Sequence, residues 1–477
     1  MRQKVNIGRL PSGVPGLDEV LGGGIPEFSF NLIAGTPGSG KTTLAHQMMF
    51  ALARPDYRAL FFTVLGEPPL KMLRYQQQFP FFDIDKVNNS IRYVNLAADL
   101  LKGDFEQVLQ RINEEVRDFS PSLVFVDSFR SVVQSGKAAE LYSLQHFVQQ
   151  LGLNMSSWQA TTFLIGEYMS PEAESSPVFT VADGIFWISQ VVDRDSMARK
   201  IQVVKMRGQG QSLGLHSFRI SDTGIEVFPR VFIHSEDVKF SGDARLSTGV
   251  ATLDEMMGGG IPVAYSMLLV GPSGSGKTVL ATQFLAEGVR VGEPGVIAAF
   301  EKSPNQMLSQ ELHRLVEKGQ VGLIDARALD LSMDEILHDM VSMIRRMGAK
   351  RVVIDSLSGF ELALASVFRE NFRESLYRMV TVLTGMGVTV VMTSELEDRY
   401  TDLRFSSYGN AFLADAIVVQ RYVEVQGQFK RVISVVKVRG SAHAKDLRLY
   451  DIGQDGLEVE QLAMPYTDIL SGHPQAV

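Results

Sequence analysis

One eight-residue pattern occurs twice in this chain, as Gly35-Thr36-Pro37-Gly38-Ser39-Gly40-Lys41-Thr42 followed by Thr43, and as Gly271-Pro272-Ser273-Gly274-Ser275-Gly276-Lys277-Thr278 followed by Val279. Each copy fits G-x-x-x-x-G-K-[ST]. In that pattern the glycines let backbone N–H groups surround phosphate oxygens, the lysine neutralises charge and the hydroxyl ligates Mg²⁺. The pattern works only where a strand runs into the loop and a helix leaves it, so that a positive helix end faces the phosphates. Both contexts are present. Phe30-Asn31-Leu32-Ile33-Ala34 and Ser266-Met267-Leu268-Leu269-Val270 read as short buried strands entering the loops. Beyond the loops, Leu44, Met48 and Leu52, then Leu280 and Phe284, recur at the i, i+4 spacing of a helical face.

The repetition extends far past the loops. Arg9-Leu10-Pro11-Ser12-Gly13-Val14 matches Arg245-Leu246-Ser247-Thr248-Gly249-Val250, and Leu17-Asp18-Glu19 through Gly22-Gly23-Gly24-Ile25-Pro26 matches Leu253-Asp254-Glu255 through Gly258-Gly259-Gly260-Ile261-Pro262. A constant spacing of 236 residues separates Arg9 from Arg245 and Lys41 from Lys277. Each half is therefore expected to be a full copy of one domain. The first copy closes near Gly224-Ile225-Glu226-Val227, echoed by Gly456-Leu457-Glu458-Val459, and the polar stretch around 230 to 244 reads as a linker. The expected domains are 1–234 and 235–477.

Within each half, apolar strand-like runs alternate with amphipathic helical stretches, the signature of an α/β fold with a mainly parallel sheet and flanking helices. Leu123-Val124-Phe125-Val126-Asp127 and Arg351-Val352-Val353-Ile354-Asp355 are buried strands ending in aspartate. Asp127 and Asp355 are the expected second Mg²⁺ contacts, through water, beside Thr42 and Thr278. Strands Thr162-Phe163-Leu164-Ile165 and Thr389-Val390-Val391-Met392 end near Glu167 and Glu395, and 228 residues separate these glutamates, as they do the aspartates. A glutamate at such a strand end is either part of the site or a solvated terminus.

Val203-Val204-Lys205-Met206-Arg207-Gly208 and Val435-Val436-Lys437-Val438-Arg439-Gly440 repeat a further element. Period-two alternation puts lysine and arginine on one face of a strand. In a monomer such a strand is a charged, protective edge. In a ring it is a finger reaching the γ-phosphate on a neighbour, where added positive charge stabilises the transition state. The finger is favoured because the pair recurs and has no obvious local acid.

Composition removes several alternatives. A chain of 477 residues, 45% hydrophobic, has material for two or three domains with full cores. Without a signal-like start or a membrane-length apolar run, the expected compartment is the cytoplasm. Zero cysteines exclude disulfides and thiolate chemistry, and eight scattered histidines give no zinc-like spacing. A net charge of −8, with no basic block, disfavours nucleic acid as a partner.

Taken together these motifs resemble the KaiC family of circadian-clock ATPases. Two RecA-like P-loop NTPase domains, each opening with S/T-G-x-x-x-L-D-E-x-x-G-G-G-[IL]-P and closing with a K-x-R-G hairpin, cover nearly the whole chain. The resemblance implies a double-ring homohexamer with ATP and Mg²⁺ between subunits. Lys205 and Arg207 would serve first-ring sites; Lys437, Arg439 and His443 would serve second-ring sites, while the first half has Gln211 or a neighbour opposite His443. A KaiB-like or other signalling protein is the implied partner. Catalytic roles fall on Lys41, Lys277, Arg207 and Arg439, with Glu301 as base in the second half. Clock proteins carry adjacent glutamates at that place; here Glu301 is followed by Lys302. In the first half Leu65 stands opposite Glu301, and Glu67, two residues later, either reaches the attacking water or merely closes a strand before Pro68.

Another departure concerns phosphorylation. Anchored on Asp415 and Tyr422-Val423-Glu424, the positions of the clock proteins' acceptor Ser and Thr hold Ala411-Phe412, neither with a hydroxyl; Ser406 and Ser407 lie nearby. The chain also stops near where clock proteins begin the tail that binds their activator. The expected function is a regulatory ATPase. The alternatives are an autophosphorylating serine/threonine kinase of the KaiC type, a RecA-like DNA-handling ATPase, and a scaffold whose bound ATP mainly holds a ring together.

Overall fold

The computed structural model describes residues 7–63, 69–87, 89–100, 105–128, 141–169, 176–193, 196–231, 244–300, 310–325, 331–364, 366–369, 371–396, 413–425, 427–454, 456–463, 466–467 and 475–476. The chain divides into two compact units, Met1–Arg230 and Val231–Val477. Most of the stretch read as a linker, 232–243, lies outside the described residues.

The first unit is built on β1 (Phe30–Gly35), β2 (Ala59–Thr63), β3 (Ile91–Asn95), β4 (Leu123–Asp127), β5 (Thr161–Glu167), β6 (Gly184–Asp193), β7 (Ser196–Met206), β8 (His216–Ser221) and β9 (Gly224–Phe228). Their order across the sheet is β9-β8-β7-β6-β1-β5-β4-β2-β3. The six strands from β6 to β3 run parallel, and β7, β8 and β9 extend the sheet antiparallel. In the second unit β10 (Ser266–Gly271), β11 (Gly295–Ala299), β12 (Val321–Asp325), β13 (Arg351–Asp355), β14 (Thr389–Glu395), β15 (Ala416–Val425), β16 (Gln428–Val438), β17 (Arg448–Gly453) and β18 (Gly456–Ala463) repeat the plan, in the order β18-β17-β16-β15-β10-β14-β13-β11-β12.

Parallel strands covered by helices on both faces are apolar without interruption, which is why these runs stand out in the sequence. Leu123 and Phe125 enter one core cluster, Val124 and Val126 the other. Across β2, β4 and β5, the rings of Phe61, Phe125 and Phe163 stack at centroid distances of 5.9 and 4.9 Å. The second unit fills that row with Ile297, Val353 and Val391.

The helix Lys41–Leu52 leaves the first loop and Lys277–Arg290 the second. Leu44, Met48, Leu52, Leu280 and Phe284 are buried as their spacing predicts. The first helix is enclosed on more than that face, since Ala45, His46, Gln47, Met49 and Phe50 are buried too. Phe50 packs on Phe82 at 5.0 Å and on Phe81 at 6.2 Å.

Lys205 lies near the end of β7 and Lys437 near the end of β16, with Arg207 and Arg439 one residue beyond. Strand β7 lies between β6 and β8 and β16 between β15 and β17, but β8 pairs only with Arg199–Ile201 and β17 only with Arg431–Ile433, so the lysine segments are paired on the β6 or β15 side alone. In both units a register shift falls just before the lysine, between Ile185 and Phe186 on β6 and between Ile417 and Val418 on β15. Such a bulge inserts one extra residue and switches the inward phase. Val203 and Met206 are both buried, three residues apart, so Lys205 and Arg207 are turned away from the core. Among the described residues, no helix is long and apolar enough to cross a membrane.

Candidate nucleotide site

The last residue of β1 and of β10 is the first glycine of its loop, so Gly35 and Gly271 sit at the carboxyl edge of the sheet. Gly40 and Gly276 close the loops with φ of +104° and +96°, a conformation that suits glycine. Space requires it as well: a Cβ on Gly40 would meet Ile220 Cδ1 at 2.7 Å, and one on Gly276 would meet Ile452 Cδ1 at 2.5 Å. The antiparallel extension therefore lies directly against each loop.

Within the loops, Lys41 and Lys277 are buried. Lys41 Nζ donates to the Thr36 carbonyl at 2.7 Å, and Lys277 Nζ to the Gly271 and Pro272 carbonyls, each at 2.8 Å. Ammonium groups held on loop carbonyls lie inside the cradle that Thr36, Pro37, Gly38 and Ser39, or Pro272, Ser273, Gly274 and Ser275, form around it. Burial lowers the Lys41 pKa, while Glu167 and Asp127 pull it back up. Glu167 pairs with Gly35 across β5 and β1, and Glu395 with Gly271 across β14 and β10, so both glutamates stand beside the start of a loop.

Strand β4 delivers Asp127 to the same edge, where Thr42 Oγ1 donates to Asp127 Oδ2 at 2.7 Å. The second unit repeats the pair, Thr278 Oγ1 to Asp355 Oδ2 at 2.8 Å. Burial pushes Asp127 up to about 6, against the Thr42 hydrogen bond and the Lys41 charge, with Glu167 adding to the rise. A hydroxyl and a carboxylate in contact, next to a lysine, are oxygen donors of the hard type that Mg²⁺ takes. These residues fit the ion. Two partners escaped sequence reasoning. Thr393 Oγ1 donates to Asp355 Oδ1, where the first unit has Ile165. His46 Nδ1 lies 2.8 Å from the Thr42 carbonyl, its ring stacked on Phe61, and burial drives its pKa down to about 4; Thr282 takes that place in the second unit. Thr43 and Val279 follow the metal-side threonines in the first turn of each helix.

The K-x-R strands do have a local acid, which corrects the sequence reading. Arg207 Nη1 pairs with Asp183 Oδ1 at 3.0 Å, and Arg439 Nη1 with Asp415 Oδ1 at 3.1 Å. Each aspartate also accepts the backbone N–H that opens the loop strand, Phe30 to Asp183 at 3.0 Å and Ser266 to Asp415 at 3.1 Å. Lys205 donates to the Thr180 carbonyl and Lys437 to the Ala414 carbonyl. The acid was missed because strand pairing, not sequence proximity, brings it there. His443 is half-buried with Nδ1 unbonded, whereas Gln211, at its position in the first unit, donates to the Val203 carbonyl. Glu67, Glu301, Ala411, Phe412, Ser406 and Ser407 lie outside the described residues.

A mostly parallel sheet, a glycine loop and helix at its carboxyl edge and a Thr–Asp pair beneath, present twice, define a protein of two tandem RecA-like nucleotide-binding domains. The family described as KaiC-type ATPase matches residues 10–231 and again 246–463, and the chain belongs to it. It is 29% identical to the circadian clock oscillator protein KaiC of Picosynechococcus sp., covering 97% of this chain and 92% of that protein. It is 28% identical to the circadian clock oscillator protein KaiC 1 of Synechocystis sp. (97% and 91%) and 27% identical to the circadian clock protein KaiC3 of the same organism (98% and 95%).

Proposed function

We propose that this chain is a cytoplasmic regulatory protein that binds and hydrolyses ATP at two sites per chain, one in domain 1–234 and one in 235–477, within a double-ring homohexamer. The observation that carries the reading is the duplicated constellation of loop lysine, helix-start threonine and strand-end aspartate, Lys41–Thr42–Asp127 and Lys277–Thr278–Asp355. The loop N–H groups and lysines hold the phosphates. Glu301 in the second half, and Glu67 in the first, accept a proton from the water that attacks the γ-phosphorus in line. Thr42 with Asp127, and Thr278 with Asp355, would hold Mg²⁺, which would supply positive charge to offset that of the phosphates. Arg207 and Arg439, with Lys205, Lys437 and His443, act in trans on the neighbour's nucleotide. Their ion pairs with Asp183 and Asp415 are exposed on the arginine side and weak enough to exchange for a phosphate.

Hydrolysis ranks above phosphate transfer to the protein because Ala411-Phe412 offers no hydroxyl. The net charge of −8 disfavours nucleic acid as a partner, and the family resemblance suggests a KaiB-like or other signalling protein instead. Bound nucleotide tests the site assignment: Lys41→Ala and Lys277→Ala should each remove one of two nucleotides per chain. An unchanged stoichiometry in either variant refutes the loop in question.

A further inference from the structure

The two loops differ in what holds them from behind. Tyr450 on β17 is buried, and its hydroxyl donates to the carbonyl oxygen of Ser275, two residues before Lys277. The Ser275 hydroxyl donates in turn to Gln420 Oε1 on β15 at 3.2 Å. Both ends of Ser275 are thus tied to the sheet, the backbone to β17 in its antiparallel extension and the side chain to β15 beside the loop strand. Strand register identifies the counterparts in the first unit. Tyr450 pairs with Arg431 as Phe218 pairs with Arg199, and Gln420 pairs with Ile433 as Ile188 pairs with Ile201. Neither Phe218 nor Ile188 carries a polar atom on its side chain. There the Ser39 hydroxyl instead donates within the loop, to the Thr36 carbonyl at 2.7 Å. Ile220 and Ile452 lie against Gly40 and Gly276 in the same way, while the first loop has a tie of its own elsewhere, Gln190 Nε2 on β6 donating to the Pro37 carbonyl at 3.1 Å.

Peptide geometry turns this anchor into an effect on the site. In a trans peptide the C=O of one residue and the N–H of the next point in opposite directions. The Ser275–Gly276 bond is not among the cis peptides. Holding the Ser275 oxygen on Tyr450 therefore turns the Gly276 N–H away from the sheet, toward the interior of the loop, where phosphate oxygens are bound.

We propose that Tyr450 is a positioning residue for the second phosphate loop, fixing the Ser275–Gly276 peptide so that its N–H faces the nucleotide before the nucleotide arrives. The first loop, with Phe218, lacks this anchor at the Ser39–Gly40 peptide, so part of its binding free energy goes into orienting that peptide when ligand binds. The inference rests on the reading of Gly271–Thr278 as a nucleotide site.

Equilibrium dialysis of ATP·Mg²⁺ tests it on the full chain, with Lys41→Ala isolating the second site and Lys277→Ala the first. Tyr450→Phe should weaken the second site roughly three- to tenfold, the effect of one hydrogen bond, and leave the first site's constant unchanged. Phe218→Tyr should tighten the first site. This gain is a readout that a merely structural role for the tyrosine would not move, and it decides the matter if Tyr450→Phe folds poorly. A first-site constant unmoved by Phe218→Tyr, or a second-site constant unmoved by Tyr450→Phe in a folded protein, overturns the proposal alone. A second nucleotide that survives Lys277→Ala overturns the site reading and the proposal with it.

Discussion

Replacing Arg351 by leucine, the residue that its counterpart Leu123 already is, probes how the two units solve one packing problem differently. Arg351 is a fully buried arginine at the start of β13. Its Nη1 donates to the Ser247 carbonyl at 2.7 Å and the Phe284 carbonyl at 2.9 Å, its Nε and Nη2 reach Glu293 Oε2 at 3.1 and 3.0 Å, and its guanidinium lies over the Phe284 ring. Removal leaves two carbonyls without these donors, at about 1 kcal/mol each. Glu293 is 31% exposed and recovers water, so its lost pairing adds under about 1 kcal/mol. The expected cost is about 3 kcal/mol, at the low end for breaking a buried pair. Gly288 makes room for this arginine: a Cβ there would lie 2.7 Å from Arg351 Nε and 2.8 Å from the Glu293 carbonyl. The first unit has Leu52 at that position. Gly288→Leu alone should therefore destabilise by about 2 kcal/mol despite its better helix propensity. The double variant should recover part of both losses, with a coupling of about 2 kcal/mol. Both tryptophans, Trp158 and Trp187, belong to the first unit, so their fluorescence does not follow the second. Hydrogen exchange of the β13 amides in rising denaturant does. A stabilising Gly288→Leu, or two effects that simply add, would refute the reasoning.

Other expectations follow from the sites. Arg207→Ala and Arg439→Ala should change unfolding free energy by no more than about 1 kcal/mol, because both ion pairs are exposed, yet lower turnover in their own ring by roughly a hundredfold or more; thermal melts beside steady-state rates compare the two, and an unchanged rate removes the trans role. Thr393→Val deletes a donor to Asp355 at almost constant volume, so half-saturation by Mg²⁺ at the second site should rise severalfold, and a titration curve that stays put excludes that support. Glu301→Gln should stop second-ring hydrolysis while ATP stays bound, whereas Ser406→Ala with Ser407→Ala should hydrolyse normally; stoichiometric phosphoserine at either position, abolished by Glu301→Gln, would promote the kinase reading.

Much of this architecture was legible in the chain because its most diagnostic strands are buried on both faces. Leu123–Asp127 and Arg351–Asp355 read as continuous apolar runs ending in a carboxylate and are observed as strands with those bounds. The helix beyond each loop was likewise visible in the i, i+4 spacing of Leu44, Met48 and Leu52 and of Leu280 and Phe284, while its start at the loop lysine is a finding of the structure. What escaped were contacts made across the sheet. Asp183 and Asp415 meet Arg207 and Arg439 only because β6 pairs with β7 and β15 with β16. The bulge that aims Lys205 and Lys437 outward breaks the period-two rule on which a reading of alternation depends. Tyr450 belongs to no motif, and its hydroxyl acquires a role only where β17 passes behind the loop.

The central claim is two ATP sites per chain, completed by neighbouring subunits. Native mass spectrometry in ATP·Mg²⁺ tests it most directly. The account predicts a hexamer carrying two nucleotides per chain, falling to one per chain in Lys41→Ala or Lys277→Ala whenever the hexamer persists. A monomer that retains both nucleotides, and hydrolyses at a specific rate unchanged by dilution, would contradict it.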